Sequence, residues 1–237
     1  MYKFISKLFA ILLIMSGLFL FFLLCLRGYI SGHIPLKNGF ETMQFLAVCI
    51  LFLAFFFRRK SFLLLPFGFI FSGLVLFVSV MGASNPQITQ LQPVLSSPLL
   101  SIHVSLIMIA YALFGFITFN SIASFLYLLL KNDSRILQLY VLSRIFLYPA
   151  VCLLAFGIVV GSIWAEISWG RYWAWDPKET WALITLILYI LPLHSQKLQF
   201  FEKPLFFHLY MFIGFSSILM TYFGVNYLLG GMHAYLN

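Results

Sequence analysis

The sequence has 237 residues, of which 63% are hydrophobic, 19% aromatic and only 8% charged, with a formal net charge of +8. Because soluble domains carry about a quarter charged residues, this composition excludes an ordinary soluble protein and indicates a polytopic integral membrane protein. The basic excess does not point to a nucleic-acid partner, since the cytoplasmic loops of membrane proteins are normally rich in Lys and Arg.

Continuous apolar runs predict an all-α membrane protein. A run of about 20 apolar residues can cross the hydrocarbon core as a helix, and these runs do not alternate as barrel strands do. We expect a single integral membrane domain over residues 1–237, with about seven transmembrane helices and an external Trp-rich loop. The predicted spans lie near residues 8–26, 41–57, 61–82, 100–130, 143–163, 177–194 and 205–227. The first run resembles a signal peptide, but it is long enough to span and no small-residue cleavage pattern follows it, so we expect a retained helix.

The distribution of Lys and Arg predicts the orientation of these spans. With seven spans, ten basic residues share the side of the N-terminus and four lie on the other side. The ten are Lys3, Lys7, Arg58, Arg59, Lys60, Lys131, Arg135, Arg144, Lys197 and Lys203; the four are Arg27, Lys37, Arg171 and Lys178. Because basic loops favour the cytoplasm, we expect a cytoplasmic N-terminus and an external C-terminus in the bacterial inner membrane.

The three cysteines, Cys25, Cys49 and Cys152, lie far apart within apolar runs and form no Cys-x-x-Cys pair. We interpret them as small core residues and not as redox or metal ligands.

One stretch, residues 164–181, concentrates the unusual side chains. It holds every tryptophan of the sequence, namely Trp164, Trp169, Trp173, Trp175 and Trp181, together with three of the six acidic residues. Tryptophans can serve simply as interfacial anchors, but anchors are spread over several helix ends. Clustering in one external segment favours a binding platform for a flat, apolar ligand.

The end of this stretch predicts an ordered helix start. Asp176 suits the N-cap, Pro177 the first helical position and Glu179 the third residue of a capping box.

Two histidines lie at the level of the external loop, His103 at the outer end of the fourth span and His233 just after the seventh. Two neutral imidazoles from different helices can take both axial positions of a haem iron. His194 follows Trp181 by 13 residues, or roughly 20 Å of helix, so it would serve a second, deeper site. For each histidine, a hydrogen-bonded structural role is the alternative.

The remaining polar residues of interest have open roles. Arg171 and Lys178 could pair with haem propionates, with lipid phosphates, or with neighbouring carboxylates. His33 is expected to shape the first outer loop, although a direct ligand contact is possible. His208 is interpreted as a structural histidine, with a local pair to His194 as the alternative.

The motif Trp169-Gly-Arg-Tyr-Trp173-Ala-Trp175-Asp-Pro-Lys-Glu-Thr-Trp181 resembles the WWD signature of haem-handling proteins, and its ending resembles the CcsA/ResC branch of System II cytochrome c biogenesis. Further matching segments are residues 31–41, residues 100–105 around His103, His194 itself, and residues 224–235 around His233.

The resemblance implies that haem b crosses the membrane through a site involving His194 and then rests between His103 and His233, the three histidines being its iron ligands. The expected outer platform comprises Trp164, Trp169, Arg171, Trp173, Trp175, Asp176 and Trp181. The haem vinyl groups would be offered to Cys-x-x-Cys-His motifs of apocytochrome c kept reduced by a thiol-reducing system. A ResB/CcsB-type membrane partner would supply another transmembrane ligand. This sequence carries no such domain, so we expect either a separate partner or one on a part of the protein that this sequence does not include.

No general-base or nucleophile constellation accompanies these residues, so we assign no catalytic residue; any cytochrome c synthase activity would arise together with the partner. Three alternatives stay open. The chain could deliver haem to a chaperone as CcmC-type proteins do, it could be a membrane assembly factor without haem, or it could be a quinone-reactive electron-transfer subunit.

Overall fold

A computed structural model describes residues 2–61, 63–81, 87–88 and 93–229. These residues contain helices and no β-strand, which confirms the all-α prediction. The α-helices are α1 (Tyr2–Ser31), α2 (Gly39–Phe57), α3 (Leu64–Met81), α4 (Pro98–Leu129), α5 (Asp133–Trp169), α6 (Pro177–Ile190) and α7 (Pro204–Leu219). Short 3-10 turns lie at Pro93–Ser96, Leu191–His194 and Gln199–Glu202, and α7 continues as a π-helical segment, Met220–Leu229.

Six helical segments are long and apolar enough to cross a membrane, which confirms a multi-pass membrane protein. They are Lys7–Ser31, Gly39–Phe57, Leu64–Met81, Pro98–Leu129, Asp133–Trp169 and Pro204–Asn226. The other predicted span, 177–194, forms the 14-residue α6 followed by a four-residue 3-10 turn. Helix α6 by itself is shorter than each of the other six segments.

Helix α5 is much longer than its predicted span of 143–163. The Asn132 side chain caps its start by accepting a hydrogen bond from the Arg135 backbone N–H at 3.3 Å. Gly170, with φ 72° and ψ 24°, ends it in the left-handed conformation that glycine adopts readily. Its 37 residues extend about 55 Å, whereas the hydrocarbon core is about 30 Å thick, so hydropathy reports only the middle of the helix. Trp164 and Trp169 therefore lie on α5, and the prediction that they belong to a loop is wrong.

The chain folds into two compact units, Met1–Ala112 and Leu113–Asn237. In the first, α1, α2 and α3 pack around Leu13, Ile50 and Leu64, which are fully buried. Gly68 of α3 faces α2 so closely that a Cβ added there would overlap the Cβ of Ala54. Such close backbone approach is typical of small residues between membrane helices.

In the second unit, α6 packs in the core despite its short length. Tyr189 of α6 is 1% exposed, and its ring centroid lies 3.9 Å from that of Phe114. Helices α5 and α7 both contact α6, with Phe146 and Phe207 buried at their inner sides.

The three cysteines are free thiols, and Cys49 is half-buried. Cys25 and Cys152 are exposed, so their assignment to the core is wrong. In a membrane protein the lipid-facing side of a helix is as apolar as its core-facing side, and an apolar sequence environment therefore does not identify the core.

Candidate functional site

The tryptophan segment, residues 164–181, begins on the last turns of α5. Trp164 is 1% exposed and Trp169 is half-buried. Their ring centroids lie 4.8 Å apart with the planes at 70°. These two rings form a packed aromatic end to α5.

The tryptophan turn, residues 170–176, carries the next two rings. The centroids of Trp173 and Trp175 lie 5.9 Å apart in an edge-to-face arrangement, and Trp175 is 70% exposed. Trp175 has φ 56°, a left-handed conformation that costs a residue with a Cβ about 1–2 kcal/mol. The indole N–H of Trp173 is buried without a hydrogen-bond partner in the described part of the chain. The turn thus offers one exposed ring and one unused donor.

The predicted capping box is present and holds this turn. The Glu179 Oε2 accepts hydrogen bonds from the backbone N–H groups of Ala174 at 2.8 Å and of Asp176 at 3.2 Å. The Asp176 carboxylate accepts one from the Lys178 backbone N–H at 2.9 Å. Because the bonded amides flank Trp175, the carboxylate of Glu179 fixes the backbone that presents the exposed ring.

Lys178 also connects α6 to the segment before His233. Its Nζ donates a hydrogen bond to Asn226 Oδ1 at 2.9 Å, and the Asn226 side-chain amide donates to Tyr222 O at 2.7 Å. Asn226 precedes His233 by seven positions. His233 itself lies outside the described residues, so its predicted ligand role stays a prediction.

The other members of the predicted site differ in exposure. Trp181 lies half-buried as the fifth residue of α6, and Arg171 is exposed on the tryptophan turn. His103 is half-buried on α4 and belongs to the first compact unit, whereas the tryptophan segment belongs to the second. The structure therefore brings the tryptophans, Asp176 and Lys178 together within one unit.

His194 ends the 3-10 turn after α6 and is exposed. Its Nδ1 lies 3.2 Å from Ile190 O. A carbonyl oxygen can only accept, so Nδ1 carries the proton and the neutral ring keeps its lone pair on Nε2. Histidines that bind metals usually have this arrangement, with one ring nitrogen donating to a carbonyl and the other free to bind.

His208, by contrast, is fully buried on α7. Its Nδ1 lies 3.1 Å from Ser121 Oγ, and that hydroxyl donates to Ile117 O at 2.9 Å. The serine proton is thus used, so His208 Nδ1 donates to Ser121. Within residues 93–229 no hydrogen bond joins His208 to His194, which supports the structural interpretation of His208.

In the first unit, His33 lines a cavity of about 740 Å³ together with Lys37 and Ser101. His33 is exposed, and its Nδ1 lies 3.1 Å from Ile34 O. The position is compatible with the predicted loop-shaping role.

A buried charge network that the sequence analysis missed surrounds Lys37. The Lys37 Nζ donates to Ser97 O at 3.1 Å and to Ser101 Oγ at 2.9 Å. Its backbone N–H donates to Glu41 at 2.9 Å, and Glu41 pairs with Arg27 at 2.8 Å. Burial lowers the pKa of the Lys37 ammonium, and the negative charge of Glu41 opposes that shift. The signal in the sequence was that three charged residues, Arg27, Lys37 and Glu41, lie in and beside the first outer loop between apolar runs.

Known proteins are similar to this chain in sequence. Residues 36–233 match the family described as Cytochrome C assembly protein. Protein NrfI of Wolinella succinogenes is 43% identical over 218 residues, which are 90% of this chain and 24% of that protein. The cytochrome c biogenesis protein CcsA of Chlamydomonas reinhardtii is 33% identical over 93% of this chain and 66% of that protein. The protein of the same name from Guillardia theta is 33% identical over 86% of this chain and 77% of that protein.

The chain thus spans about a quarter of NrfI and about two thirds of the Chlamydomonas protein. The family match covers the tryptophan segment, His103, His194 and His233, and it confirms the resemblance to CcsA-type proteins. The chain belongs to the cytochrome c assembly protein family, whose role is in cytochrome c biogenesis.

Proposed function

We propose that this chain carries haem b across the bacterial inner membrane and presents it on the external side for covalent attachment to apocytochrome c. The observation that carries the proposal is the construction of the tryptophan turn. Trp175 is 70% exposed although its backbone is held by the bonds that Glu179 makes to the flanking amides. An exposed aromatic ring on a fixed backbone suits stacking on a flat macrocycle.

The surroundings of the turn support the same ligand. The buried Trp173 N–H, unused in the described chain, can donate to a polar edge of a bound group. The Lys178–Asn226 bond holds Asn226 of the π-helical segment beside the start of α6. We propose His233 and His103 as the iron ligands of the presented haem, and Arg171 as a contact of one of its propionates.

The proposed route begins at His194, on the opposite end of α6. The 14 helical residues extend about 21 Å and the four 3-10 residues about 8 Å, which together approach the roughly 30 Å of a hydrocarbon core. Helix α6 with its turn can therefore separate an external tryptophan segment from an inner His194. The free Nε2 of His194 would receive haem from the cytoplasmic side, with a further ligand from a ResB/CcsB-type partner.

Thioether formation between haem and the apocytochrome depends more on the positioning of the reacting groups than on acid–base catalysis. Each cysteine S–H of the apocytochrome adds across one haem vinyl C=C, so sulfur bonds to carbon, the hydrogen is retained, and nothing is lost. Holding the vinyl edge toward the incoming thiol can supply much of the rate effect. The chain would bind and orient haem, with the thiols kept reduced elsewhere.

The proposal is tested by absorption spectra of the dithionite-reduced chain, purified with its ResB/CcsB-type partner. Wild type should show a low-spin bis-histidine spectrum. His103→Ala and His233→Ala should each lose that ligation, whereas His194→Ala should lower the haem content without changing the ligand field of the haem that remains. Lys60→Ala, which removes a basic residue exposed far from the tryptophan segment in sequence, is the control.

Absence of haem from the wild-type complex would overturn the proposal and would leave the tryptophan segment as a lipid or protein contact. Transfer of haem to a soluble chaperone and not to an apocytochrome peptide would instead favour the CcmC-like alternative.

A further inference from the structure

An arginine beside His194 has no carboxylate partner. Arg144 lies on α5, 11 positions after the helix begins, at the start of its long apolar part. Its Nη1 donates hydrogen bonds to Ser195 Oγ at 2.8 Å and to Tyr140 Oη at 3.0 Å, and its Nη2 donates to Tyr148 Oη at 3.3 Å. All three acceptors are neutral hydroxyls, so none of them compensates the guanidinium charge.

Glu202, in the 3-10 turn Gln199–Glu202, does not neutralise the Arg144 guanidinium. Glu202 follows Phe201, whose carbonyl accepts a hydrogen bond from Tyr140 at 3.1 Å. Yet no ion pair within 4 Å joins Arg144 to Glu202 or to another carboxylate among the described residues. An uncompensated cation in an apolar helix is costly and commonly marks a ligand pathway.

The guanidinium is held in place, and part of it is still available. Tyr140 is anchored by its own bond to Phe201, and Ser195 is buried. A guanidinium has five N–H donors, and the described chain uses three bonds from Arg144. The residue is half-exposed, so the remaining donors can reach a ligand. A fixed guanidinium fork with free donors fits the two oxygens of a carboxylate.

Ser195 connects this cation to His194 directly, because the two residues are adjacent and Arg144 bonds to the serine. From this geometry we infer that Arg144 binds a propionate carboxylate of haem while His194 binds its iron, so that the two residues form one inner haem site. This inference rests on the proposed function. It adds a positioning residue on α5 to a site otherwise carried by the turn after α6.

The test uses the complex of the chain with its ResB/CcsB-type partner, in a His103→Ala/His233→Ala background that leaves the inner site. Binding of haem and of haem dimethyl ester, whose propionates are uncharged, is titrated optically. Arg144→Gln should weaken haem binding about tenfold or more, as expected for loss of a charge-assisted bond. Arg144→Lys should recover part of the affinity.

In this background, the protein with Arg144 and the Arg144→Gln variant should bind haem dimethyl ester with equal affinity, because the ester has no carboxylate for Arg144 to bind. Lys197→Gln is the matched control, because Lys197 is exposed and its backbone N–H bonds to His194 O, so the variant removes one positive charge from the turn that carries His194. That variant should bind haem like wild type.

Equal haem binding by Arg144→Gln and wild type would overturn the inference, and so would a loss that persists with the dimethyl ester, which would assign Arg144 to a lipid phosphate or to folding. Monodisperse elution of Arg144→Gln with its partner, together with unchanged ester binding, establishes that the variant is folded. If wild type binds no haem, the proposed function fails; if its haem depends on His194 and not on Arg144, only this inference fails.

Discussion

At the scale of single residues, Glu179 has the clearest measurable role. Its carboxylate accepts two backbone hydrogen bonds from the tryptophan turn, so Glu179→Ala should leave two amides unpaired and destabilise the fold by about 1–3 kcal/mol. All five tryptophans lie in residues 164–181, and tryptophan emission therefore reports on this segment alone. We expect a lower thermal unfolding midpoint in detergent and a red-shifted emission maximum.

Glu166 provides the matched control for that measurement. It carries the same charge in the same segment, is half-buried, and its side chain accepts no hydrogen bond in the described chain. Glu166→Ala should leave both the midpoint and the emission close to wild type. A blue or unchanged emission in Glu179→Ala would mean that the turn is held by other contacts.

The sequence predicted this cap because its information is local: Asp176, Pro177 and Glu179 occur at the required spacing and act on neighbouring amides. The left-handed Trp175 and the buried pairing of Lys37 with Ser101 were not predictable in the same way. Both depend on contacts between residues in the folded chain, and the conformational preferences of the single residues do not predict them.

At the scale of helices, Gly68 and Gly73 of α3 form a natural pair for comparison. A Cβ at Gly68 would overlap the Cβ of Ala54, which is too short to move away, whereas a Cβ at Gly73 would meet nothing within 4 Å. Gly68→Ala should therefore separate α3 from α2 at a cost of about 1–3 kcal/mol. Gly73→Ala should be neutral or stabilising by up to about 1 kcal/mol, because alanine favours helix more than glycine. Thermal unfolding in detergent measures both, and equal midpoints would show that the two helices are not closely packed.

Hydropathy predicts the bounds of some helices and not of others. The predicted span 41–57 coincides with α2 within two residues at its start, because an apolar run that ends in Arg58 and Arg59 has clear limits. Helix α5 exceeds its prediction at both ends, because Asn132 and Gly170 set its limits and neither depends on the bilayer. Helix bounds follow capping residues, whereas hydropathy measures only what can lie in lipid.

At the scale of the whole molecule, the orientation of α6 decides whether the proposed route exists. The basic residues favour the N-terminus and the turn after α6 on the cytoplasmic side, and the tryptophan turn on the external side. Tyr172, Lys60 and Lys197 are all exposed, so single cysteines there are open to labelling. In a cysteine-free background, Tyr172→Cys should react with a membrane-impermeant maleimide in intact cells. Lys60→Cys and Lys197→Cys should react only after permeabilisation.

The labelling of Lys60→Cys and Lys197→Cys distinguishes an α6 that crosses the membrane from an α6 that enters it and returns. If α6 with its 3-10 turn reaches across the core, as its length of about 29 Å allows, the two lysine positions share a side opposite Tyr172. If α6 enters the membrane and returns, Lys197→Cys labels from outside together with Tyr172→Cys, while Lys60→Cys stays protected. His194 would then lie on the external side, and haem transport through an inner His194 site would have to be abandoned even if the tryptophan turn binds haem.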